Sequence, residues 1–484
     1  MRLAMKKTVL LFLLLPLGLC PLAQGQYNNW HFGNGSAINF KYGYPAVTNN
    51  SQIASVSACA SISDTLGNLL FYTNGDTIWD QNNSIMPNGM GLLGDYTAQQ
   101  GVLIVPNPDT VNSKNQYYIF TVGAPSNGFA KELRYSIVDM NLNDSLGAVD
   151  STAKNILLDS NVTEKLTATR NADGISFWVV TRNLGSGSFK AYSITDTGLN
   201  PAPVISNAGV GIQNGDYSGA LKISNNGCWM ISTTRGLFKN PALVEILHFD
   251  NSYGSVSRGY STTSILHPYG LEFSPDNTKF YIGENEEAPV YQFNLNQSND
   301  QDILPSQLAV SNPYPATYSM QAAPDGKIYF VTSDTTTLGS IQNPDNYSLY
   351  CNVDTAVVTG LNFNTYSLPN NFDLTYKGAL SCAQTTQDCV MPLNKLMPNA
   401  FTPNGDGLND CFGVDQKIKD SLPFLDFAIF DRWGNKVFYT TTISECWDGT
   451  YKGKPADQAN YVYYLRERTN CGYALKTGYV VLIR

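Results

Sequence analysis

The sequence of 484 residues predicts an all-β protein, a β-propeller of about seven blades followed by a small immunoglobulin-like β-sandwich. Three observations lead to this fold class. The chain is rich in Tyr (29) and Gly (40), as expected for short strands joined by tight turns. A turn motif recurs about every 50 residues through the first three quarters of the chain, and a different set of motifs occupies the last ninety residues.

The chain begins with the features of a secretory signal peptide. Arg2, Lys6 and Lys7 precede an apolar run at residues 9–15, and small residues follow near position 25. This order predicts a signal peptide at residues 1–25 that is removed by cleavage. The apolar run is too short to span a bilayer and no later stretch is long enough, so we expect no transmembrane segment in the mature protein.

The region from residue 26 to residue 376 contains an internal repeat. A polar turn followed by an aromatic, β-rich run recurs at residues 63–72 (SDTLGNLLFY), 171–178 (NADGISFW), 224–229 (SNNGCW), 274–281 (SPDNTKFY) and 323–330 (APDGKIYF). Asp173, Asn226, Asp276 and Asp325 are separated by 53, 50 and 49 residues. A period near 50 made of strands and turns is typical of propeller blades.

These turns resemble those of WD40-like or TolB-like propellers, in which each turn joins two strands of one blade. The Asp or Asn accepts local backbone hydrogen bonds and the Gly supplies a positive φ, so we expect these residues to be structural. About 350 residues at 50 per blade predict seven blades, although six or eight also fit the spacing. We expect residues 27–40 and the segment around residues 361–374 to share the closing blade, which would remove open sheet edges.

The charge balance excludes some classes of partner. The formal net charge is -9, and removal of Arg2, Lys6 and Lys7 with the signal peptide makes it -12. Nucleic acids and anionic membrane surfaces favour basic patches, so neither is an expected partner.

Residues 377–395 are polar and lack apolar alternation, so they are predicted to be an interdomain linker. An exported chain permits disulfides, because the periplasm is oxidising. Five of the eight cysteines that follow the signal peptide lie between Cys382 and Cys471. We therefore expect at least one disulfide between these two positions. The scarcity of His and the absence of a C-x-x-C pair disfavour a zinc site.

The last ninety residues carry a set of motifs in a fixed order. They are residues 398–410 (PNAFTPNGDGLND), 427–435 (FAIFDRWGN), 447–450 (WDGT) and the C-terminal residues 482–484 (LIR). Together they resemble the gliding motility-associated C-terminal domain of Bacteroidetes. Cys411, Cys446 and Cys471 lie within residues 396–484 but do not belong to the family pattern.

This resemblance implies that residues 396–484 are a type B sorting domain of the type IX secretion system. The secretion machinery would then be a partner, and the protein would be exported to the outer-membrane cell surface or to the medium. Short strands such as residues 425–431 and 461–467 suit an immunoglobulin-like sandwich.

The segment that spans residues 404–410 is a candidate Ca²⁺ site. Asn404, Asp406, Asn409 and Asp410 offer oxygen ligands, and Gly residues between them give the loop freedom to wrap around an ion. The loop lacks the bidentate Glu that ends an EF-hand, so a turn that uses its own Asn and Asp side chains is the alternative. No other cofactor is expected.

The sequence predicts no catalytic residues. The chain has no G-x-S-x-G elbow, and its three His residues lie apart from any nucleophile motif, where strand or loop positions explain them. Glu284, Glu286 and Glu287 are close enough in sequence to flank a glycosidic bond, although three acids on one loop more often form a solvated surface.

The sequence as a whole predicts an exported, non-enzymatic binding or adhesion protein. Its propeller would recognise a glycan or protein ligand, and its C-terminal domain would act as the sorting signal. The alternative is a secreted propeller enzyme that acts on glycans or peptides. Nothing in the sequence names the ligand, because a fold does not determine a function.

Overall fold

A computed structural model of the chain describes residues 25–109, 111, 113–123, 132–211, 218–236, 242–265, 267–313, 316–334, 336–361, 365–372, 374, 397–413, 424–442, 444–469 and 472–484. Residues 1–24, which make up nearly all of the predicted signal peptide, and the predicted linker at residues 377–395 lie outside this set. The predicted domain boundaries therefore stay predictions.

Among the described residues, seven small antiparallel sheets follow one another along the first part of the chain, which confirms the all-β class and the propeller of about seven blades. The first three blades are β1 (Asn29–Phe32), β2 (Ser36–Asn39) and β3 (Ala46–Val47); β4 (Ala60–Ser63), β5 (Leu69–Thr73) and β6 (Ile78–Asp80); and β7 (Val102–Pro106), β8 (Gln116–Val122), β9 (Leu133–Asp139), β10 (Ala148–Val149) and β11 (Ile156–Asp159).

The last four blades have the same antiparallel order. They are β12 (Val162–Arg170), β13 (Phe177–Asn183), β14 (Phe189–Thr195), β15 (Gly198–Leu199) and β16 (Val204–Ser206); β17 (Leu221–Ile223), β18 (Trp229–Thr234), β19 (Leu243–Asp250) and β20 (Ser255–Thr262); β21 (Pro268–Phe273), β22 (Lys279–Glu284), β23 (Tyr291–Asn294) and β24 (Leu308–Ala309); and β25 (Thr317–Ala322), β26 (Ile328–Thr332), β27 (Thr337–Ile341) and β28 (Val353–Thr359).

Short 3-10 helices lie before β1 and between some of the later strands. They are Gly25–Tyr27, Asn143–Ser145, Asp300–Asp302, Leu304–Ser306 and Ser348–Cys351. In the described part of the chain, no helix has the length and apolar character needed to cross a membrane.

The first strands of successive blades lie side by side around an axis. Strand β4 contacts β7, β7 contacts β12, β12 contacts β17, β17 contacts β21, and β21 contacts β25. Apolar side chains fill the space between neighbouring blades. Blade one packs between blades seven and two, because the ring of Trp30 meets Tyr329 edge-on at 5.9 Å and His31 stacks on Tyr72 at 4.0 Å. The sheets thus form a closed ring.

The repeated turns have the structure that their sequences predict. Gly174, Gly227 and Gly326 have φ values of 73°, 73° and 81°, and Asn277 takes the same left-handed conformation in the fourth turn. Asp173 accepts backbone N–H groups from the two residues that follow its turn Gly. Burial tends to raise the pKa of Asp173, but hydrogen bonds from Ser176 and Ile175 hold it below its ordinary value.

The two ends of the propeller region meet as predicted, but the C-terminal segment supplies irregular chain in place of a strand. Tyr366 accepts the N–H of Ser319 in β25 (3.2 Å) and donates its own N–H to the carbonyl of Val56 (2.8 Å). Asn370 donates its N–H to the carbonyl of Cys59, just before β4 (2.9 Å). We call residues 365–374, without the undescribed residue 373, the closing segment. It lies nearest the axis, between the first strands of blades seven and two.

The C-terminal domain contains a five-stranded sheet in the order β29-β35-β34-β30-β31. Its strands are β29 (Ala400–Phe401), β30 (Phe424–Phe430), β31 (Lys436–Thr440), β34 (Asn460–Thr469) and β35 (Gly472–Leu482). The pair β32 (Thr450–Tyr451) and β33 (Lys454–Pro455) and an isolated bridge between Phe412 and Trp447 lie outside this sheet. The core of the domain is rich in aromatic rings and includes Trp447 and Phe427.

A disulfide joins Cys411 to Cys446 beside the Phe412–Trp447 bridge. It confirms the prediction of at least one disulfide between Cys382 and Cys471. Cys59 and Cys351 are free and buried.

Candidate functional site

Three consecutive blades place polar residues at the same position of their first strands. Lys222 in β17, Glu272 in β21 and Gln321 in β25 each follow an apolar residue and lie two residues before the start of the turn. They are 50 and 49 residues apart, the spacing of the repeat itself. Because equivalent positions of a propeller face the same axis, the three side chains converge.

Lys222 and Glu272 form a buried ion pair. The ammonium lies 3.0 Å from Oε2 of the carboxylate, and the two side chains are 9% and 8% exposed. Lys222 also donates to Oε1 of Gln321 (2.8 Å). The Glu272 carboxylate accepts the backbone N–H groups of Phe273 (3.0 Å) and Ala322 (3.1 Å). Each of the two buried charges therefore has an opposite charge and further hydrogen-bond partners, as buried charges require.

The closing segment completes the site with Asn371 and Phe372. The carbonyl of Asn371 accepts from Lys222 (3.4 Å), and its backbone N–H donates to Gln321 Oε1 (3.3 Å). The ring of Phe372 meets those of Tyr27 at 6.4 Å and Phe177 at 5.8 Å, both edge-on. Both chain ends of the propeller region therefore contribute to one site.

These residues line a cleft at the mouth of the propeller axis, on the side of the turns that join the first and second strands. Its volume is about 220 Å³. We call it the axial cleft. The remaining lining is mostly apolar or neutral and includes Ile223, Pro275 and Pro324.

The axis is closed behind the axial cleft. Gln100 reaches across it, accepting the N–H of Leu221 (2.8 Å) and donating to that residue's carbonyl (3.0 Å). Asn370 donates to the carbonyls of Val102 (3.2 Å) and Leu166 (3.0 Å). The space left here is about 10 Å³, roughly one water molecule. Among the described residues, the axial cleft therefore ends at the side chains of Gln100 and Asn370.

The described lining of the axial cleft offers hydrogen-bonding groups and apolar surface. Glu272 is the one carboxylate among its described lining residues, and Lys222 neutralises it. Hydrolysis of a glycosidic bond generally uses two carboxyl groups, one as an acid and one as a base or nucleophile. The described residues do not bring such a pair together in this cleft.

The acids singled out in the sequence lie away from the axial cleft. Glu284, at the end of β22, is buried and accepts the backbone N–H of His267 (3.0 Å). Burial raises the pKa of Glu284, and the nearby Glu286 carboxylate adds to the rise. Glu286 is largely exposed, 3.2 Å from Nε2 of His267. The structure therefore buries Glu284, pairs the exposed Glu286 with a histidine and leaves Glu287 exposed.

The remaining histidines occupy strand positions, as expected. His31 lies within β1, where burial lowers its pKa to about 3. His248 in β19 contacts Asp300 at 2.7 Å. In the part of the chain that the structure describes, no three His, Cys, Asp or Glu side chains are grouped so as to hold a metal ion.

The candidate Ca²⁺ loop forms a compact turn on the surface of the C-terminal domain. The Asp410 carboxylate accepts the backbone N–H groups of Asn404, Gly405 and Gly407. These hydrogen bonds hold the pKa of Asp410 below its ordinary value. Asp406 accepts from the Asn404 amide (2.8 Å). Most of these oxygens already accept hydrogen bonds within the loop, and Ca²⁺ binding by Asn404, Asp406, Asn409 and Asp410 stays a prediction.

Sequence reasoning did not single out Lys222, Glu272, Gln321 or Asn371. For the first three a signal existed, because alignment of the repeats on their turns brings them into register. For Asn371 there was none, since the closing segment lies outside the repeat.

The strand order, the ring of blades and the separate C-terminal sheet define an all-β propeller protein with an added C-terminal domain. Residues 395–482 match the family model of the CHU_C type IX secretion signal domain. The C-terminal domain is therefore a type IX secretion signal, as its motifs predicted, and the protein is exported.

Comparison with whole proteins adds little. No curated protein matches the chain. A functionally unknown protein from Desulfotomaculum acetoxidans DSM 771 is 12% identical with a TM-score of 0.38, covering 82% of this chain and 94% of that one. Kluyveromyces lactis Hsv2 is 9% identical with a TM-score of 0.37, covering 65% and 90%. Hydrazine synthase of Kuenenia stuttgartiensis is 11% identical with a TM-score of 0.36, covering 71% and 89%. Likenesses this weak carry no argument about function.

Proposed function

We propose that the protein is a binding or adhesion protein that acts at the outer-membrane cell surface or in the medium and catalyses no reaction. The propeller recognises a ligand at the axial cleft, and the C-terminal domain brings the propeller out of the cell by engaging the type IX secretion machinery.

The observation that carries this proposal is the composition of the axial cleft. It combines an apolar wall with a few placed polar groups, the usual make-up of a small-ligand site. Its single described carboxylate is neutralised by Lys222 at 3.0 Å. A site built in this way can hold a ligand, whereas acid and base catalysis would need groups free to exchange protons.

A glycan array screened with the mature protein, beside a hydrolysis assay on the same glycans, tests the proposal. We expect binding without release of product. Turnover of any bound glycan would overturn the non-enzymatic assignment. Silence in both assays would exclude glycans and direct the search for ligands toward proteins.

The enzyme alternative keeps one supporting observation, the buried Glu284 whose pKa is raised, since such groups often mark catalytic sites. If turnover is detected, Glu284→Gln decides whether this residue causes it. Unchanged turnover in that variant would remove Glu284 from consideration.

The export step is tested by deletion of residues 396–484. We expect the truncated chain to fold its propeller and to remain in the periplasm, because the sorting signal is lost. Normal surface display or secretion of the truncated chain would contradict the assignment of the sorting role.

A further inference from the structure

The five-stranded sheet of the C-terminal domain carries apolar side chains on both of its faces. On one face, Phe427, Tyr463 and Val480 lie in the core of the domain. Residues opposite each other on paired strands share a face, and the register places a second apolar set on the other side of the sheet. We call this side the outer face; it consists of Tyr479, Val462 and Phe430 in one row, Tyr464, Ala428 and Tyr439 in the next, and Val481 beside them.

The largest side chains of the outer face are open to solvent. Tyr479 and Tyr439 are 72% and 51% exposed, and Val462 and Val481 are 38% and 37% exposed. An antiparallel sheet with one face in water normally alternates apolar residues toward the core with polar residues toward the solvent. The outer face departs from this alternation, which indicates a surface that meets another molecule.

The size of the outer face indicates what kind of contact it makes. With about 150–250 Å² for a whole aromatic side chain, the exposed parts of the outer face amount to roughly 400 Å². Exposed apolar patches of about 300–600 Å² are often functional. A stable complex buries about 800 Å² on each partner, so the outer face alone is too small to hold two copies of the chain together. A transient contact with a different partner fits this area.

Charged side chains border the outer face at the hairpin between β30 and β31. The ammonium of Lys436 lies 4.5 Å from the centre of the Tyr439 ring, and the guanidinium of Arg432 lies 5.1 Å from that of Trp433. Asp431 is the acid of this hairpin, and its carboxylate accepts hydrogen bonds from within the turn. Two cations and one carboxylate leave this border positive, so the complementary surface carries acidic groups there.

We propose that the secretion machinery recognises the C-terminal domain at the outer face, through a protein surface that is apolar and bordered by acidic groups. This inference rests on the proposed export function and names the surface that carries it. A transient contact suits this role, because the machinery has to release each molecule that it exports.

The test measures export of the full chain by host cells that carry the secretion system. Tyr439→Thr/Tyr479→Thr removes both exposed rings and keeps residues that favour strands. We expect the fraction of the protein at the surface and in the medium to fall at least about fivefold, with folded protein accumulating in the periplasm. The matched control, Tyr253→Thr/Tyr350→Thr, removes two tyrosines that are 69% and 80% exposed on propeller turns and should be exported normally.

A second pair of variants guards against a loss of folding and tests the charged border. The calorimetric midpoint of the C-terminal domain should be nearly unchanged in the double tyrosine variant. If it falls, Val462→Thr, which keeps the shape of the side chain, takes its place and should also lower export. Lys436→Glu reverses the charge at the border, and normal export of this variant would overturn the acidic part of the partner surface.

The outcomes separate this inference from the sorting role itself. Normal export of the tyrosine and Val462 variants, while deletion of residues 396–484 still blocks export, would overturn the outer face and leave the sorting role intact. Normal export of the deleted chain would overturn the sorting role. Sedimentation of the mature protein should show a monomer, and a dimer that Tyr439→Thr/Tyr479→Thr dissociates would assign the outer face to a second copy and overturn the inference.

Discussion

Replacement of Lys222 by Met is expected to destabilise the propeller strongly, because it leaves the Glu272 carboxylate buried without its cation. Removal of one partner from a buried ion pair typically costs about 3–5 kcal/mol. Lys222 and Glu272 meet this condition, since their side chains are 9% and 8% exposed and 3.0 Å apart. The variant also loses the hydrogen bonds from Lys222 to Gln321 and to the closing segment.

The size of the effect can be expressed as a shift of the unfolding temperature. A propeller of roughly 350 residues has an unfolding entropy of about 0.7 kcal/mol per kelvin, at about 2.1 cal/mol per kelvin per residue. A loss of about 3–5 kcal/mol then lowers the midpoint of the propeller transition by about 4–7 °C. Differential scanning calorimetry and urea unfolding followed by tryptophan fluorescence measure this change.

A second variant separates the missing charge from the missing side chain. In Lys222→Met/Glu272→Gln the buried negative charge is also gone, and the Gln oxygen can still accept the N–H of Ala322. We expect the double variant to recover about 2 kcal/mol of the loss. The exposed Lys41→Met is the control and should change stability by about 0.5 kcal/mol or less. A cost below about 1 kcal/mol for Lys222→Met, or a double variant no more stable than the single one, would refute this reasoning.

Three further predictions concern other parts of the chain. Replacement of Cys411 and Cys446 by Ser removes a disulfide whose cysteines have a sequence separation of 35, and it should destabilise the C-terminal domain by about 4 kcal/mol. Calorimetry should show a lower unfolding midpoint for that domain only. An unchanged midpoint would contradict this prediction. His31 has a pKa of about 3 in the folded protein, below its unfolded value, so the unfolded state binds more protons between these values and stability falls as the pH drops below about 6.5. In urea unfolding, the contribution of His31 to the free energy of unfolding should fall by about 2 kcal/mol between pH 6.5 and pH 5. His31→Phe keeps an aromatic ring on Tyr72 and should reduce the acid loss, and an identical pH profile would exclude His31 as its source. If the loop at residues 404–410 binds Ca²⁺, a chelator should lower the midpoint of the C-terminal domain in calorimetry, and no shift would exclude binding.

Much of the fold was predictable because it repeats. The turn residues Asp173, Asn226, Asp276 and Asp325 recur at the length of one blade, and the side chain of each accepts a backbone N–H two residues further along the chain. The C-terminal domain was predictable for a different reason, since its motifs occur together and in order, and residues 395–482 match the secretion signal family.

The site was harder to predict because it depends on closure of the ring. Lys222 and Glu272 are 50 residues apart and meet only when neighbouring blades stand side by side. The closing segment has no strand pattern and reads as loop, yet Asn370 and Asn371 make buried contacts at the axis with four different blades. Such contacts are set by tertiary structure and leave no periodic trace in the sequence.

The central claim is that the axial cleft is where the propeller holds its ligand. The most direct measurement is a crystal structure of the mature protein soaked with the glycan that binds best in the array. The account predicts density for the ligand in the axial cleft, in contact with Phe372 and Tyr27. Density for the glycan at another surface, with the axial cleft unchanged, would contradict it.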